Sequence, residues 1–321
     1  PDCLGHLGLA RELSAAFGVP LRTVGAPPAG EGTPVEKEVQ VTIEDPELCP
    51  RYTAGLVRGV RVGPSPPWVV RRLEACGLRS VSNVVDASNL VMLETGNPIH
   101  FFDMSRIAEA KIGIRRARAG EELTTLDGEP RRLDGEMLLI TDGRGPVALA
   151  GVMGGADSEI GATTRDVLIE AAAFDALWVR ATSRKLALQT DASQRFGRGV
   201  DPESVIAAQA LAARLLVDLG GGRPAPGLVD VHPRPYRPEK LVLRLAQLQR
   251  LLGYKPGVAE VRGALAALQL EPEKLDAKRF EITVPGWRVD LEREADLVEE
   301  VARHLGYDRV PADASGMPTL G

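Results

Sequence analysis

Several groups of residues in this chain have types and spacings that could do chemistry. His100 stands in Asn97-Pro-Ile-His-Phe-Phe-Asp103. An imidazole near neutral pH can donate, accept or move a proton, which suits hydrolysis, although a lone histidine beside two phenylalanines is more often a satisfied structural residue. Glu170 follows the apolar run Val167-Leu-Ile and precedes Ala171-Ala-Ala-Phe174. A buried carboxylate there needs a partner and becomes a strong acceptor for a ligand hydroxyl or ammonium; at a strand end it would face solvent. Gly151-Val-Met-Gly154-Gly155 clusters glycines where backbone can turn with positive φ or let a ligand approach, with a structural turn as the simpler reading. Asp296, Glu299 and Glu300 share a helix face by spacing, and Asp290 lies just upstream. Converging oxygens of this kind suit Mg²⁺, while the helix dipole also favours acids in a first turn. Finally, Arg180, Arg184, Lys185, Arg195 and Arg198 make one stretch locally basic, fit either to hold phosphates, such as an RNA end, or to be a solvated face.

Sharper motifs are absent. The sequence has no G-x-x-x-x-G-K-[ST] loop, H-E-x-x-H helix, G-x-S-x-G elbow or EF-hand loop.

The elements that must position these groups fit a chain of about two domains, given 321 residues. Hydrophobic residues make up 44% and charged residues 26%, which excludes a collagen-like, fibrous or largely disordered chain. No apolar run approaches the roughly 18 residues of a membrane span, and the N-terminus does not look like a signal peptide. The first residue, Pro1, points to a piece of a longer chain. The net charge of −5, from 39 basic and 44 acidic residues, excludes a general nucleic-acid coat and leaves room for a local basic face. Cys3, Cys49 and Cys76 form no C-x-x-C pair, which argues against a disulfide framework or zinc site and for a reducing, cytoplasmic setting.

Periodicity predicts a helix over 4–17 and a linker over 26–38. Strands are expected at 39–43, 55–62, 112–116 and 137–141, and helices at 68–76, 175–186 and 202–219. Asp127-Gly128 signals a hairpin. The strands are not each followed by a crossover helix, so the fold class is α+β rather than doubly wound. Five prolines between 223 and 239 mark a boundary. Beyond it a strand (241–245), helices (246–252 and 258–268), a strand (279–284) and a helix (294–304) suggest a small winged-helix-like unit. The expected division is 1–38, 39–222, 223–240, 241–310 and a C-terminal linker, 311–321.

Five blocks then carry a resemblance. They are Asn83-Val-Val-Asp-Ala-Ser-Asn-Leu-Val-Met-Leu-Glu94, Gly96-Asn-Pro-Ile-His-Phe-Phe-Asp103, Leu149-Ala-Gly-Val-Met-Gly-Gly155, Thr190-Asp-Ala-Ser…Arg198-Gly-Val-Asp-Pro202 and Asp296-Leu-Val-Glu-Glu-Val-Ala-Arg303. In this order they resemble the bacterial phenylalanyl-tRNA synthetase β subunit. The resemblance implies a fragment with the tRNA-binding and editing domain, a mixed sheet-and-helix fold, followed by the small winged-helix-like domain. It implies hydrolysis of tyrosine wrongly attached to the phenylalanine tRNA. Glu170 would recognise the tyrosine hydroxyl and His100 would lie near the scissile ester. Ser88, Asn89, Gly151, Gly154, Thr190 and Ala192 would line the pocket. No Ser or Cys nucleophile stands beside a base, so a positioned water would attack.

Asp290, Asp296, Glu299 and Glu300 match the family's Mg²⁺ position, shared with a separate α subunit in a heterotetramer. ATP would be used by the whole enzyme and not bound by this chain. Implied partners are the α subunit, the phenylalanine tRNA, tyrosine and phenylalanine, with neither membrane nor DNA. Departures from the family pattern are Ser88, Gln194, Gly197 and the run Ser183-Arg-Lys-Leu-Ala187. The alternative is a non-catalytic scaffold that binds tRNA and docks the α subunit. A DNA-binding winged helix ranks last, because that unit lacks a clean basic face.

Overall fold

The computed structural model describes residues 2–311 except 23, 24 and 26. The expected C-terminal linker lies, from residue 312 onward, outside the described residues. Two units divide the chain: Pro1–Gly8 with Arg22–Tyr236, and Leu9–Leu21 with Arg237–Gly321. The first helix, α1 (His6–Phe17), therefore contributes residues to both. No helix among the described residues is long and apolar enough to cross a membrane.

In the first unit, strands β1 (Gln40–Ile43) and β2 (Arg51–Arg58) precede helices α2 (Pro67–Ala75) and α3 (Asn83–Thr95). Strands β3 (Ile99–Asp103) and β4 (Lys111–Arg116) follow, then the hairpin of β5 (Glu122–Thr124) and β6 (Pro130–Arg132). Next come β7 (Leu138–Thr141), β8 (Pro146–Leu149), β9 (Met153–Gly154) and β10 (Val167–Ala173). Helices α4 (Ala176–Lys185), α5 (Asp191–Phe196) and α6 (Val205–Gly220) lead to the short strands β11 (Arg223–Pro224) and β12 (Val229–Val231). One sheet has the order β1-β4-β7-β8-β9, and β1–β4 is its parallel pair. The other runs β11-β2-β10-β3 and is antiparallel, with β12 also pairing on β2.

Alternation along the strands builds the layers. Tyr52, Leu56, Phe102 and Leu168 face Ile112, Ile114, Leu139 and Leu149 of the first sheet and form a core between the sheets. On the reverse face Val57, Phe101, Val167 and Ile169 pack on Val84 and Val91 of α3 and Ala208 and Leu216 of α6. β10 is buried along its whole length, because it is central in its sheet and covered on both faces. Gly55 on β2 lets α6 come close, since a Cβ there would fall inside the Gln209 amide.

Polar side chains of α3 fasten the helix. Asn83 accepts from the Gly63 N–H at 2.9 Å and donates to the Arg61 and Leu219 carbonyls, both at 2.9 Å. Asp86, fully buried, accepts from Ser65, Ser80 and the Val81 N–H. Arg51 on β2 grips Asp230 of β12 through two bonds, at 3.0 and 2.7 Å, and donates to the Pro202 carbonyl.

Three of the expected spans differ in the structure. The strand expected at 55–62 runs instead over Arg51–Arg58, ended by Gly59 at φ +68°. The 223–240 segment is not simply a linker, since Arg223–Pro224 and Val229–Val231 pair with β2. The 26–38 segment is likewise docked: Glu31 and Val35 donate to the Pro224 and Pro226 carbonyls, and Val35 is fully buried.

The second unit has the sheet order β13-β15-β14, from β13 (Lys240–Arg244), β14 (Pro272–Lys274) and β15 (Arg279–Thr283). Helices α7 (Leu245–Leu252), α8 (Val258–Ala267) and α9 (Glu294–Leu305) complete it. Leu243, Leu248, Val261, Leu265, Ile282 and Leu297 are among its core. The expected strands and helices all form, and β14 adds a third strand. The fold class is α+β throughout.

Replacing Asn83 by Ala strands the Gly63 N–H and two carbonyls, so it should cost the first unit about 2–4 kcal/mol. Urea unfolding checks this, and a loss below about 0.5 kcal/mol would show that the three bonds do not hold α3.

Candidate functional site

Glu170 is the fourth of the seven residues of β10. The alternation that sends Leu168 and Ala172 into the intersheet core sends Glu170 there too. Its register partner on β3 is His100, and on β2 it is Ala54. Directly opposed residues on neighbouring strands share a face with Cβ atoms about 5 Å apart, so the carboxyl and the imidazole meet at one cavity. That cavity, about 70 Å³, is walled by Ile140, Ala148 and Leu149 of the facing sheet and by Ala192 and Phe196 of α5. The glycine turn between β8 and β9 closes it, with Gly151 and Gly154 in its lining.

Glycine is required at both positions, one in the turn and one in β9. Gly151 has φ +70°, in the left-handed region. A Cβ on Gly154 would lie 2.6 Å from Cε1 of His100 and 2.8 Å from its Nε2. The imidazole otherwise stacks edge-on against Phe102, with centroids 4.6 Å apart. Thr190 sits one step back. Its hydroxyl donates to the Val152 carbonyl at 2.8 Å and accepts from the Ser193 N–H at 3.0 Å, so it caps α5 and ties that helix to the glycine turn.

The electrostatics follow from burial. Glu170 is 6% exposed, and its Oε2 and the Nε2 of His100 are buried without a hydrogen-bond partner among the described residues. Desolvation pushes the Glu170 carboxyl up to about 8, opposed by the nearby Tyr52 hydroxyl, and lowers the His100 imidazole to about 4. Both groups are therefore uncharged in the fold near pH 7. Tyr52 and Cys49, fully buried beside Glu170, are pushed up by the same desolvation.

The structure brings His100, Glu170, Gly151, Gly154 and Ala192 to one cavity and places Thr190 behind its wall. Ser88 and Asn89 are not brought there. They lie on α3, whose buried face packs against the opposite side of the sheet, and the Ser88 hydroxyl donates to the Val85 carbonyl at 2.7 Å. Sequence reasoning missed the walls from Ile140 and Phe196 and the flanking Tyr52. Tyr52 could have been found only by starting β2 at Arg51, which puts it on the Glu170 face.

The four acids of the second unit do not converge. Arg288 lies between Asp290 (2.9 and 2.8 Å) and Glu300 (3.0 Å), and Arg303 bonds Glu300 at 2.7 Å and Glu12 at 2.5 Å. Burial would raise Glu300, but hydrogen bonds from Arg288 and Arg303 outweigh it and hold the carboxyl below its usual range. Asp296 accepts from the Glu292 and Arg293 N–H groups at the start of α9, and Glu299 is exposed. Among the described residues no cluster of three His, Cys, Asp or Glu could hold a metal ion. These acids, as they lie, do not fit Mg²⁺: guanidinium groups and backbone donors engage Asp290, Asp296 and Glu300, and exposed Glu299 does not converge on them.

Residues 48–221 match the B3/4 domain model, and residues 241–307 match the tRNA synthetase B5 domain model. The phenylalanine–tRNA ligase β subunit of Syntrophotalea carbinolica is 48% identical over 97% of this chain and 39% of its own length. That of Geobacter metallireducens is 45% identical over 97% and 39%. This chain thus spans about two fifths of these relatives. A crystal structure of an N-terminal fragment of the phenylalanyl-tRNA synthetase β subunit from Pyrococcus horikoshii is a more distant likeness. It is 16% identical, with a TM-score of 0.45, over 94% of this chain and 83% of that one.

Three outcomes follow from these charges and their partners. Glu170 has its folded value, about 8, above its ordinary 4.5, so its burden on the fold is absent below about pH 4.5, grows from there to pH 8 and then levels off. Relative to wild type, Glu170→Gln should therefore gain stability by about 1.4 kcal/mol per pH unit across that window; a difference that stays flat in urea melts would contradict a buried neutral carboxyl. In the second unit, Arg288→Ala leaves Glu300 buried with only Arg303 and should cost about 3–5 kcal/mol. Millimolar Mg²⁺ should leave the melting temperature of the wild-type chain unchanged, and a clear upward shift would show that the acids rearrange around the ion.

Proposed function

The chain belongs to the B3/4 domain family, and on that premise we propose that it is the editing portion of a phenylalanyl-tRNA synthetase β subunit, hydrolysing tyrosine wrongly esterified to the phenylalanine tRNA. The observation that carries this reading is the pair of buried, unpartnered polar atoms, Glu170 Oε2 and His100 Nε2, at one apolar-walled cavity. A hydrophobic pocket rejects an added hydroxyl only about a hundredfold, whereas a site built to hydrogen-bond that hydroxyl rejects its absence far more strongly. The tyrosine hydroxyl satisfies Glu170; phenylalanine leaves the carboxyl buried and unpaired.

A neutral carboxyl suits this task. It can donate to or accept from a phenol, and it places no charge beside the ring. His100, lowered to about 4, is a weak base near pH 7 and serves better to orient a water than to strip it of a proton. The water oxygen forms a bond to the ester carbonyl carbon, the bond from that carbon to the ribose oxygen breaks, and the ribose oxygen takes a proton. Tyrosine and free tRNA are released. The terminal ribose hydroxyls help hold the water. Amino-acid activation with ATP, the α subunit and a cytoplasmic setting belong to the whole enzyme in this reading. No step runs through Mg²⁺.

Calorimetric titration of this chain with free tyrosine and phenylalanine is the direct test. Tyrosine should bind at least tenfold more tightly, and Glu170→Ala should remove the preference. No binding of either amino acid at millimolar concentration would overturn a preformed pocket and favour a scaffold that positions tRNA. In the full-length enzyme, His100→Ala should slow deacylation of tyrosyl-tRNA about 10- to 100-fold while leaving tyrosine binding in place; unchanged deacylation would remove His100 from the reaction.

A further inference from the structure

Helix α5 has two sides. Ala192 and Phe196 face the cavity of Glu170 and His100. Ser193, Gln194 and Gly197 face a separate open groove of about 330 Å³, bounded by Arg180 and Arg184 of α4 and by Arg198. Arg180 and Arg184 are four residues apart and so lie on one face of α4. Gly197 makes their approach to α5 possible: a Cβ there would meet the Ser193 carbonyl oxygen at 2.7 Å and the Arg180 Cγ at 2.8 Å. Among the described residues no carboxylate lines the groove.

The arginines of the groove differ from the basic residues beside them. Lys185 is engaged by Asp134 and Glu136, and Arg195 by Asp191. Arg180, Arg184 and Arg198 are exposed and, among the described residues, form no ion pair and no side-chain hydrogen bond. In a chain of net charge −5, three unneutralised guanidiniums around one concavity are a local anion site. Their planar forks match phosphate oxygens two at a time. The exposed amides of Gln189 and Gln194 at the rim add neutral donors.

We propose that this groove binds the phosphodiester backbone of the RNA strand whose esterified end enters the neighbouring cavity. The proposal rests on the editing reading, because it is the single-helix separation of groove from cavity that makes the anion a nucleic-acid backbone. A strand anchored on the outer side of α5 presents its terminal residue to the inner side. No base-specific contact is required, so binding is independent of sequence and steep in salt.

The test uses this 321-residue chain, a fluorescent 12-nucleotide single-stranded RNA and, separately, inorganic phosphate. Wild type is compared with Arg180→Ala, Arg184→Ala and Arg198→Ala, singly and together, and with Arg184→Lys. These side chains are exposed and unpaired, so melting temperatures should not move. The triple variant should lose RNA affinity at least tenfold. The slope of log K against log salt should become shallower by about 2, the equivalent of three phosphate contacts on a single strand. Arg184→Lys should keep the slope and lose only part of the affinity. Unchanged affinity and slope in the triple variant would overturn the proposal. Loss of inorganic phosphate binding without loss of RNA binding would reduce the groove to a free-anion site and would also overturn it. Free tyrosine titrated into the triple variant should bind as in wild type. If tyrosine binds neither protein while the variants still lose RNA, the groove stands and the editing reading falls.

Discussion

A carboxyl group in the middle of the central strand of a two-sheet core has no water to ionise into, and its strand neighbours are spending their N–H groups on the ladder. Glu170 is in this position. It survives there by staying protonated near neutral pH, with the small Ala54 beside it on β2, His100 on β3 and a glycine turn opposite. Much of the first unit can be understood as accommodating this one group. The facing sheet supplies aliphatic walls, Gly154 leaves space for the imidazole, and Thr190 holds α5 against the turn.

The second unit buries charge in the opposite manner. Glu300 and Arg288 are as deeply placed as Glu170, yet each meets an opposite charge with near-ideal bond lengths. A buried carboxylate paired in this way contributes to a fixed arrangement and offers little to a ligand. An unpaired one keeps its hydrogen-bonding capacity in reserve for a guest. Acids that look alike in the sequence thus take different roles according to whether an arginine reaches them.

Elements with clear periodicity were legible in the sequence: β1, β4, β7, α2, α4, α6 and most of the second unit lie within a few residues of the expected spans. The helix of Asn83–Thr95 and the strands Ile99–Asp103 and Val167–Ala173 were not, because all three are buried on more than one side and carry neither a polar stripe nor alternation. The site suffered from the same blindness. Glu170 and His100 were recognisable one by one, but only strand register makes them neighbours. In the block around Asn83, the residues with the most evident structural work are Asn83 and Asp86, which fasten loops, while Ser88 and Asn89 stay away from the cavity. The acids of α9 had the spacing of a metal site, yet spacing carries no information about which arginines fold back onto them.

The two short strands β11 and β12, laid end to end along β2, have a consequence for association. Without them β2 would be an open edge, a run of unpaired backbone groups ready to recruit the edge of another copy. The chain covers that edge with its own prolines: Pro224 within β11, Pro226 between the two strands and Pro233 just past β12. Proline has no N–H to offer a further strand, so the sheet is capped by a segment that resists ladder growth. Arg51 locks the cap in place through Asp230. The proline-rich stretch that reads as a spacer is thus also the sheet's guard against self-templating, and severing the chain near residue 222 would strip the first unit of that protection while taking little from its core beyond Ala225 and Val229.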